Sequence, residues 1–237
     1  MSGDTRQAAL EELGEYTAII AVRPRDPYIR GAVQSILDQT HPPTAVFVII
    51  NGSGGEGPEV PPQIEGISDL VQVHVIPGTG MVPAINFGLS ILSTPYVAVL
   101  DSDDLWEPRK QELQLQRLAQ DSTLDAVSCF ATNFRENPDG TREEMMTRSA
   151  VMFTCTTFRS ECFTTYGIID PESSHFTWLY RWWSIARSKG IRTESIEYRG
   201  ALRRIHDKNS WVVDGENAHG ELFAELRRLT QAKRIAT

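Results

Sequence analysis

Cysteine is scarce in this sequence, and long apolar runs are missing. The three cysteines, Cys129, Cys155 and Cys162, are odd in number and none are spaced Cys-x-x-Cys. A disulfide framework and a structural zinc site are therefore not expected; reduced thiols in a cytoplasmic setting are. No apolar stretch is long enough to span a bilayer. The first 15 residues are polar and acidic and lack the basic-then-apolar layout of a secretory signal. Basic charge is short as well: 23 Lys plus Arg against 31 Asp plus Glu leave a formal charge of −8. That balance disfavours a general nucleic-acid or anionic-membrane binder. A chain of 237 residues is nonetheless long enough to bury a real core.

What is present is an alternation of short apolar runs and helical patterns. Tyr16–Val22, Ala45–Ile50, Val71–Ile76 and Tyr96–Leu100 read as strands, with amphipathic helices expected over Tyr28–Gln39 and Met81–Leu92. Further on, the pattern predicts a helix over Glu107–Gln120 and strands over Asp125–Asn133 and Met152–Phe158. It then gives a helix over Thr177–Lys189 capped by Gly190, a strand over Thr193–Tyr198 and a final helix over Glu216–Ala232. Strands alternating with helices imply an α/β, Rossmann-like, doubly wound and mostly parallel sheet. Ligands of such sheets sit at the C-terminal strand ends, where the strand order reverses.

Asp101-Ser102-Asp103-Asp104 follows the apolar run Tyr96–Leu100, which reads as a buried strand. Three carboxylates there repel one another and call for a compensating cation or ligand. Hard oxygen donors at a strand end suit Mg²⁺ or Mn²⁺ with a phosphate substrate. The plain alternative is a turn whose Asp residues cap the next helix.

The combination of Ser35-Ile36-Leu37-Asp38-Gln39-Thr40, Ile50-Asn51-Gly52-Ser53, Asn86-Phe87-Gly88 and Asp101-Ser102-Asp103-Asp104-Leu105-Trp106-Glu107-Pro108 resembles the family 2 glycosyltransferases. The resemblance covers roughly residues 16–210 and implies the GT-A fold as a single domain. Residues 16–110 would form the nucleotide-sugar-binding half, 111–215 the acceptor-side half and 216–237 a C-terminal helix. It further implies a nucleotide-sugar donor, a soluble acceptor hydroxyl and inversion at the sugar carbon. By resemblance, Ala21, Arg23 and Asn51 border the base and ribose. Asp101 holds the ribose or a metal-bound water, and Asp103 ligates the cation bridging the diphosphate. Asp104 orients the site or the sugar hydroxyls, and Ser102, Asn86 and Arg204 join the donor-binding set. His206, in Arg204-Ile205-His206-Asp207-Lys208-Asn209-Ser210, resembles a family position that reaches the metal or the diphosphate.

Departures are equally legible. Where family members carry a Glu-Asp pair before an aromatic helix, this chain has Ser174-His175. The candidates for general base are His175, or Asp170 or Glu172 if the loop is shifted, or none, with Ser173 or Ser174 simply capping the helix. Asn51 replaces an Asp that often reads uracil; an amide both donates and accepts, so guanine, thymine or another base is open. Ile85 replaces an Arg that contacts phosphate. Among the aromatics, Trp178, Leu179 and Trp182 are expected in the core, Trp106 beneath the carboxylate loop, and Trp183 and Trp211 exposed. Two alternatives stand beside the transferase: a binding module that has lost its base, and a sugar-1-phosphate nucleotidyltransferase. The second wants a Gly-rich loop after the first strand, and Ala21-Val22-Arg23-Pro24-Arg25 has no Gly. Nucleic acid is not an expected partner, although a modified nucleobase acceptor stays open, as does the oligomeric state.

Overall fold

The structure is a computed structural model that describes residues 13–52, 61–78, 80–149, 152–174, 176–207, 209, 220–225 and 227–228. Its centre is one nine-stranded sheet. The first half contains β1 (Tyr16–Val22), α1 (Ile29–Leu37), β2 (Ala45–Gly52), β3 (Val71–Pro77), α2 (Met81–Ser90) and β4 (Tyr96–Asp101). The second contains β5 (Leu105–Trp106), α3 (Lys110–Gln120), β6 (Ala126–Glu136), β7 (Arg142–Ser149), β8 (Thr156–Arg159), α4 (Cys162–Thr165), α5 (Trp178–Ser188) and β9 (Thr193–Arg204). The strand order is β3-β2-β1-β4-β8-β6-β9-β5, with β7 added on β6.

The pairs β1/β2, β2/β3, β1/β4 and β6/β9 are parallel. Antiparallel joints at β4/β8, β6/β8, β6/β7 and β5/β9 make the second half mixed. The chain leaves β1 toward β2 and β3, then returns to lay β4 on the other side of β1. That reversal opens a crevice at the C-terminal ends of β1 and β4, where Ala21 and Asp101 are register partners.

The continuous apolar runs of β1, β2 and β4 follow from burial on both faces. Ala18, Ile20, Val46, Val48, Ala98 and Leu100 pack against α1 and α3, through Ile29, Val33, Ile36, Leu115 and Leu118. Ile19, Phe47, Ile49, Val97 and Val99 face the opposite way, toward α2 and α5. There Phe153, Phe158, Phe163, Trp178, Trp182 and Trp183 form one aromatic cluster, with Phe153 and Trp178 centroids 5.0 Å apart and perpendicular.

Several expectations are corrected. Trp183 is not exposed: it is 4% accessible and lies against Phe158 and Trp182. The stretch expected as a strand over Met152–Phe158 begins with a 3₁₀ turn at Phe153–Cys155, and the strand runs Thr156–Arg159. α3 starts at Lys110 rather than Glu107: the Gln39 side chain donates to the Glu107 carbonyl and accepts the Gln111 N–H that would otherwise close a helical turn onto it. β9 continues to Arg204, past Gly200. The final helix is described at 220–225 and 227–228; the rest of Glu216–Ala232, and Trp211, lie outside the described residues. No helix among the described residues is long and apolar enough to cross a membrane.

Candidate active site

The carboxylate motif forms a closed turn at the end of β4: the Asp104 N–H donates to the Asp101 carbonyl at 3.1 Å. The stretch leaving it is held by the Ser-Ile-Leu-Asp-Gln-Thr segment at the end of α1. The Trp106 N–H donates to Ser35 Oγ (3.1 Å), and Gln39 Nε2 donates to the Glu107 carbonyl (2.9 Å). Gln39 Oε1 accepts the Gln111 N–H (3.0 Å), and the Thr40 N–H donates to the Pro108 carbonyl (2.8 Å). The two sequence signatures are thus one mechanical unit. Trp106 sits beneath the loop and donates its indole N–H to the Thr154 carbonyl at 2.8 Å.

β9 brings the second signature to the same place. It pairs with β5 at Leu105↔Leu202 and Trp106↔Ala201, which carries Arg204 and His206 to the carboxylates. His206 Nε2 lies 3.0 Å from Asp103 Oδ2. Asn209 Nδ2 lies 3.1 Å from that same oxygen, and Asn209 Oδ1 accepts the His206 N–H at 2.7 Å. The Arg204 N–H donates to Asp104 Oδ1 (2.9 Å) and its Nε donates to the Asp103 carbonyl (3.0 Å). The Arg204 guanidinium lies between the rings of Tyr28 and Phe134, 4.6 and 4.8 Å from their centroids, and pairs with Glu136. The Tyr28 ring also stacks on His206 at 4.9 Å.

Sequence reasoning missed Asp26, Tyr28, Glu136 and Asn209. Ser102 Oγ donates to Asp26 Oδ2 at 2.6 Å, and Asp26 Oδ1 accepts the Tyr28 N–H at 2.8 Å. Only Asn209 carried a signal, since it stands within the Arg204–Ser210 segment.

The cluster is electrostatically strained. Burial first, and the Asp103 charge second, push Asp101 up to about 7, while Arg203 pulls it down. Asp104, 2% accessible, is raised well above the usual carboxylate range by burial and then by Asp101 and Asp103; the Arg204 N–H and Arg203 oppose this. A cation fits that imbalance. Among the described residues no three His, Cys, Asp or Glu side chains gather as a complete metal cage. Asp103 and His206 offer an oxygen and a nitrogen side by side, which fits an ion that takes its remaining ligands from substrate phosphates and water.

The other expected residues fall into two groups. Ala21 and Asn51 line the crevice at the ends of β1 and β2, and Arg23 is exposed just beyond β1. Asn51 is buried and its Nδ2 donates to the carbonyl of Gly80, the residue before α2. Its oxygen is left as the acceptor. Asn86, by contrast, closes a pair of hydrogen bonds with the backbone of Ile169 (Nδ2 to O, 2.7 Å; N–H to Oδ1, 3.1 Å). On the following loop, Asp170 Oδ2 pairs with Arg181 at 2.7 Å and its Oδ1 accepts the Glu172 N–H at 3.0 Å. Glu172 is exposed, and Ser174 Oγ lies 3.0 Å from Thr177 Oγ1 at the start of α5. His175 lies outside the described residues.

A family model described as glycosyl transferase family 2 matches residues 17–189. A chondroitin synthase of Pasteurella multocida is 35% identical over 113 residues, 48% of this chain and 12% of the relative. The putative teichuronic acid biosynthesis glycosyltransferase TuaG of Bacillus subtilis is 34% identical over 90 residues, 38% of this chain and 36% of the relative. The chain therefore spans well under half the length of these curated relatives. Among solved structures, the mannosyltransferase PcManGT from Pyrobaculum calidifontis, in complex with GDP-Man and Mn²⁺, matches with a TM-score of 0.64 at 18% identity. That match covers 91% of this chain and 64% of PcManGT. Residues 1–349 of TarS from S. aureus, in complex with UDP, match with a TM-score of 0.61 at 14% identity, over 81% and 61% of the two chains. These two are likenesses of fold, and both neighbours share the GT-A architecture. On the family match over most of its length, the chain belongs to glycosyl transferase family 2.

Proposed function

We propose that this chain is a metal-dependent, inverting glycosyltransferase that moves a sugar from a nucleotide-sugar donor to an acceptor hydroxyl. The observation that carries the proposal is the meeting of Asp103, His206 and Asn209 at the crevice formed by β1 and β4. Asp103 and His206 would hold Mn²⁺ or Mg²⁺, which supplies charge neutralisation to the departing diphosphate. Asn51 gives one amide N–H to the Gly80 carbonyl and keeps its oxygen and its second N–H, so it can meet a base edge as acceptor or as donor. Ala21 and Asp101 flank the ribose, and Arg23 lies at the rim.

In the reaction the acceptor oxygen bonds to the anomeric carbon as the bond from that carbon to the diphosphate oxygen breaks. The bonding pair leaves with the nucleoside diphosphate. The acceptor proton passes to a base on the 170–175 loop. His175 and Glu172 are the candidates for that role, because both oxygens of Asp170 are already engaged by Arg181 and the Glu172 N–H.

The test is a thermal-shift screen of UDP, GDP, TDP, CDP and ADP with and without Mn²⁺, repeated on Asp103→Asn. A native-state ligand raises the melting temperature by mass action. At least one of these nucleoside diphosphates should stabilise the wild type in the presence of Mn²⁺, and the effect should vanish in the variant. Equal shifts in the two proteins, or none with any nucleotide, would sink the proposal. Binding of a nucleotide-sugar without any turnover would favour the binding module instead.

A further inference from the structure

We infer that Asn86 is a positioning residue that sets the acceptor-side loop against the donor crevice, rather than a donor contact. This rests on the transferase function proposed above. Ile169 is fully buried, yet it lies in a loop with no ladder partner for its backbone. A buried N–H and C=O must be satisfied. Asn86 satisfies both at once, with its amide N donating to the Ile169 carbonyl at 2.7 Å and its amide O accepting the Ile169 N–H at 3.1 Å. The contact spans 83 residues of sequence and joins the two halves of the molecule.

The rest of the loop is tied from its own side. The Tyr166 carbonyl accepts from Lys189 Nζ (2.9 Å), the Gly167 carbonyl from Trp182 Nε1 (2.8 Å), and Asp170 pairs with Arg181 (2.7 Å). Those three partners belong to α5 or the residue after it. Asn86 alone of these four ties comes from α2, whose preceding residue, Gly80, accepts the Asn51 amide. Asn51 and Ile169 are thus fastened at Gly80, the residue before α2, and at Asn86, the sixth residue of that helix. Displacing the loop displaces Glu172, a candidate base three residues after Ile169 whose N–H is held by Asp170. Proton transfer in the reaction depends on such placement at the level of an ångström.

The experiment compares wild type, Asn86→Leu and Asn86→Asp. Three quantities are measured: the dissociation constants of UDP and GDP with Mn²⁺, the release of diphosphate from UDP-glucose and GDP-mannose, and backbone hydrogen exchange over 166–174. Asn86→Leu should bind the diphosphate within twofold of wild type, lose at least tenfold in kcat, and exchange at least tenfold faster at Ile169 and Asp170. Asn86→Asp should behave like the Leu variant at pH 8 and gain on wild type as pH falls. A protonated carboxyl restores both bonds: its hydroxyl donates to the Ile169 carbonyl and its other oxygen accepts the N–H. A purely volume-filling role would not show that pH-dependent ratio. Wild-type kcat in Asn86→Leu, or a tenfold loss of diphosphate binding with kcat intact, overturns the inference alone. A wild type that binds none of UDP, GDP, TDP, CDP and ADP in the presence of Mn²⁺ overturns the transferase proposal and this inference together.

Discussion

His206 Nε2 and Asp103 Oδ2 stand 3.0 Å apart across 103 residues of sequence, and Asn209 Nδ2 lies 3.1 Å from both atoms. Asn209 thereby orients an oxygen and a nitrogen suited to one cation. Partners of this kind around metal ligands are worth about 10–100-fold in metal affinity or activity. Asn209→Ala should weaken Mn²⁺-dependent nucleoside diphosphate binding by about that factor, and His206→Ala by at least as much. Isothermal titration with and without Mn²⁺ decides it. Metal-independent binding of equal strength in all three proteins would exclude a cation at this position.

The Asp101 carboxyl, held at about 7 chiefly by burial and then by Asp103, predicts a pH-dependent cost in the metal-free protein. A carboxyl raised in the folded state binds protons that the unfolded chain has released, so its favourable contribution fades as pH rises from about 4 through 7. Asp101→Asn should therefore be more stable than metal-free wild type at pH 8, and the two should converge near pH 4. The site is partly open to solvent, which trims the difference to about 1–2 kcal/mol, or a few degrees in Tm. Mn²⁺ should raise the wild-type Tm more at pH 8 than at pH 5, because only ionised carboxylates attract it. Melting curves at the two pH values with and without Mn²⁺ check both statements.

How much of this was legible before the fold was known depends on where each signal resides. β1, β2 and β4 were readable because burial on both faces leaves an unbroken apolar run, and the carboxylate turn was readable because nothing apolar explains it. β7 was not: Arg142–Ser149 carries charges and exposed methionines, and it forms because β6 offers an edge beyond the Asn137–Gly140 turn. β9 outran its apolar pattern because β6 pairs with it as far as Arg204 and β5 flanks its other edge at Ala201 and Leu202. Trp183 was misplaced because α5 buries a broad face rather than one stripe. Asp26 could not be found at all, since its bond to Ser102 spans 76 residues and no local pattern marks it.

Gly88 is where α2 comes closest to β1. A Cβ there would lie 2.9 Å from Ile19 Cγ2 and 3.0 Å from its Cδ1, with Ile19 itself fully buried. Overpacking of this kind costs about 1–3 kcal/mol, partly offset by the roughly 1 kcal/mol that Ala gains over Gly in a helix. Gly88→Ala should be destabilising, and so should Ile19→Ala through its cavity. The double variant should be more stable than the sum of the two losses predicts, because each change makes room for the other. Urea midpoints for the four proteins measure the coupling, and strict additivity would place the α2–β1 contact elsewhere.

Lys110 is a fully buried cation. It has no accessible surface and its Nζ has no hydrogen-bond partner, resting 4.1 Å above the Trp106 ring. Burial brings its pKa down to about 8, against a smaller opposing pull from Cys129 and Cys155. That displacement amounts to about 3 kcal/mol against the charged form. Below pH 8 the folded and unfolded chains both carry the proton, and the fold bears the full penalty. Between about pH 8 and 10.5 the folded chain has lost a proton that the unfolded chain keeps, so stability rises with pH. Lys110→Met keeps the packed stem and drops the ammonium. It should stabilise the protein by about 1–3 kcal/mol at pH 7, less than the full penalty because the cation–π contact is lost with the charge. The gain over wild type should shrink steadily as pH is raised from 8 to 10. Denaturant titrations of the two proteins at pH 7, 8.5 and 10 test this, and a gain that held constant or grew with pH would mean that Lys110 is solvated or paired in solution.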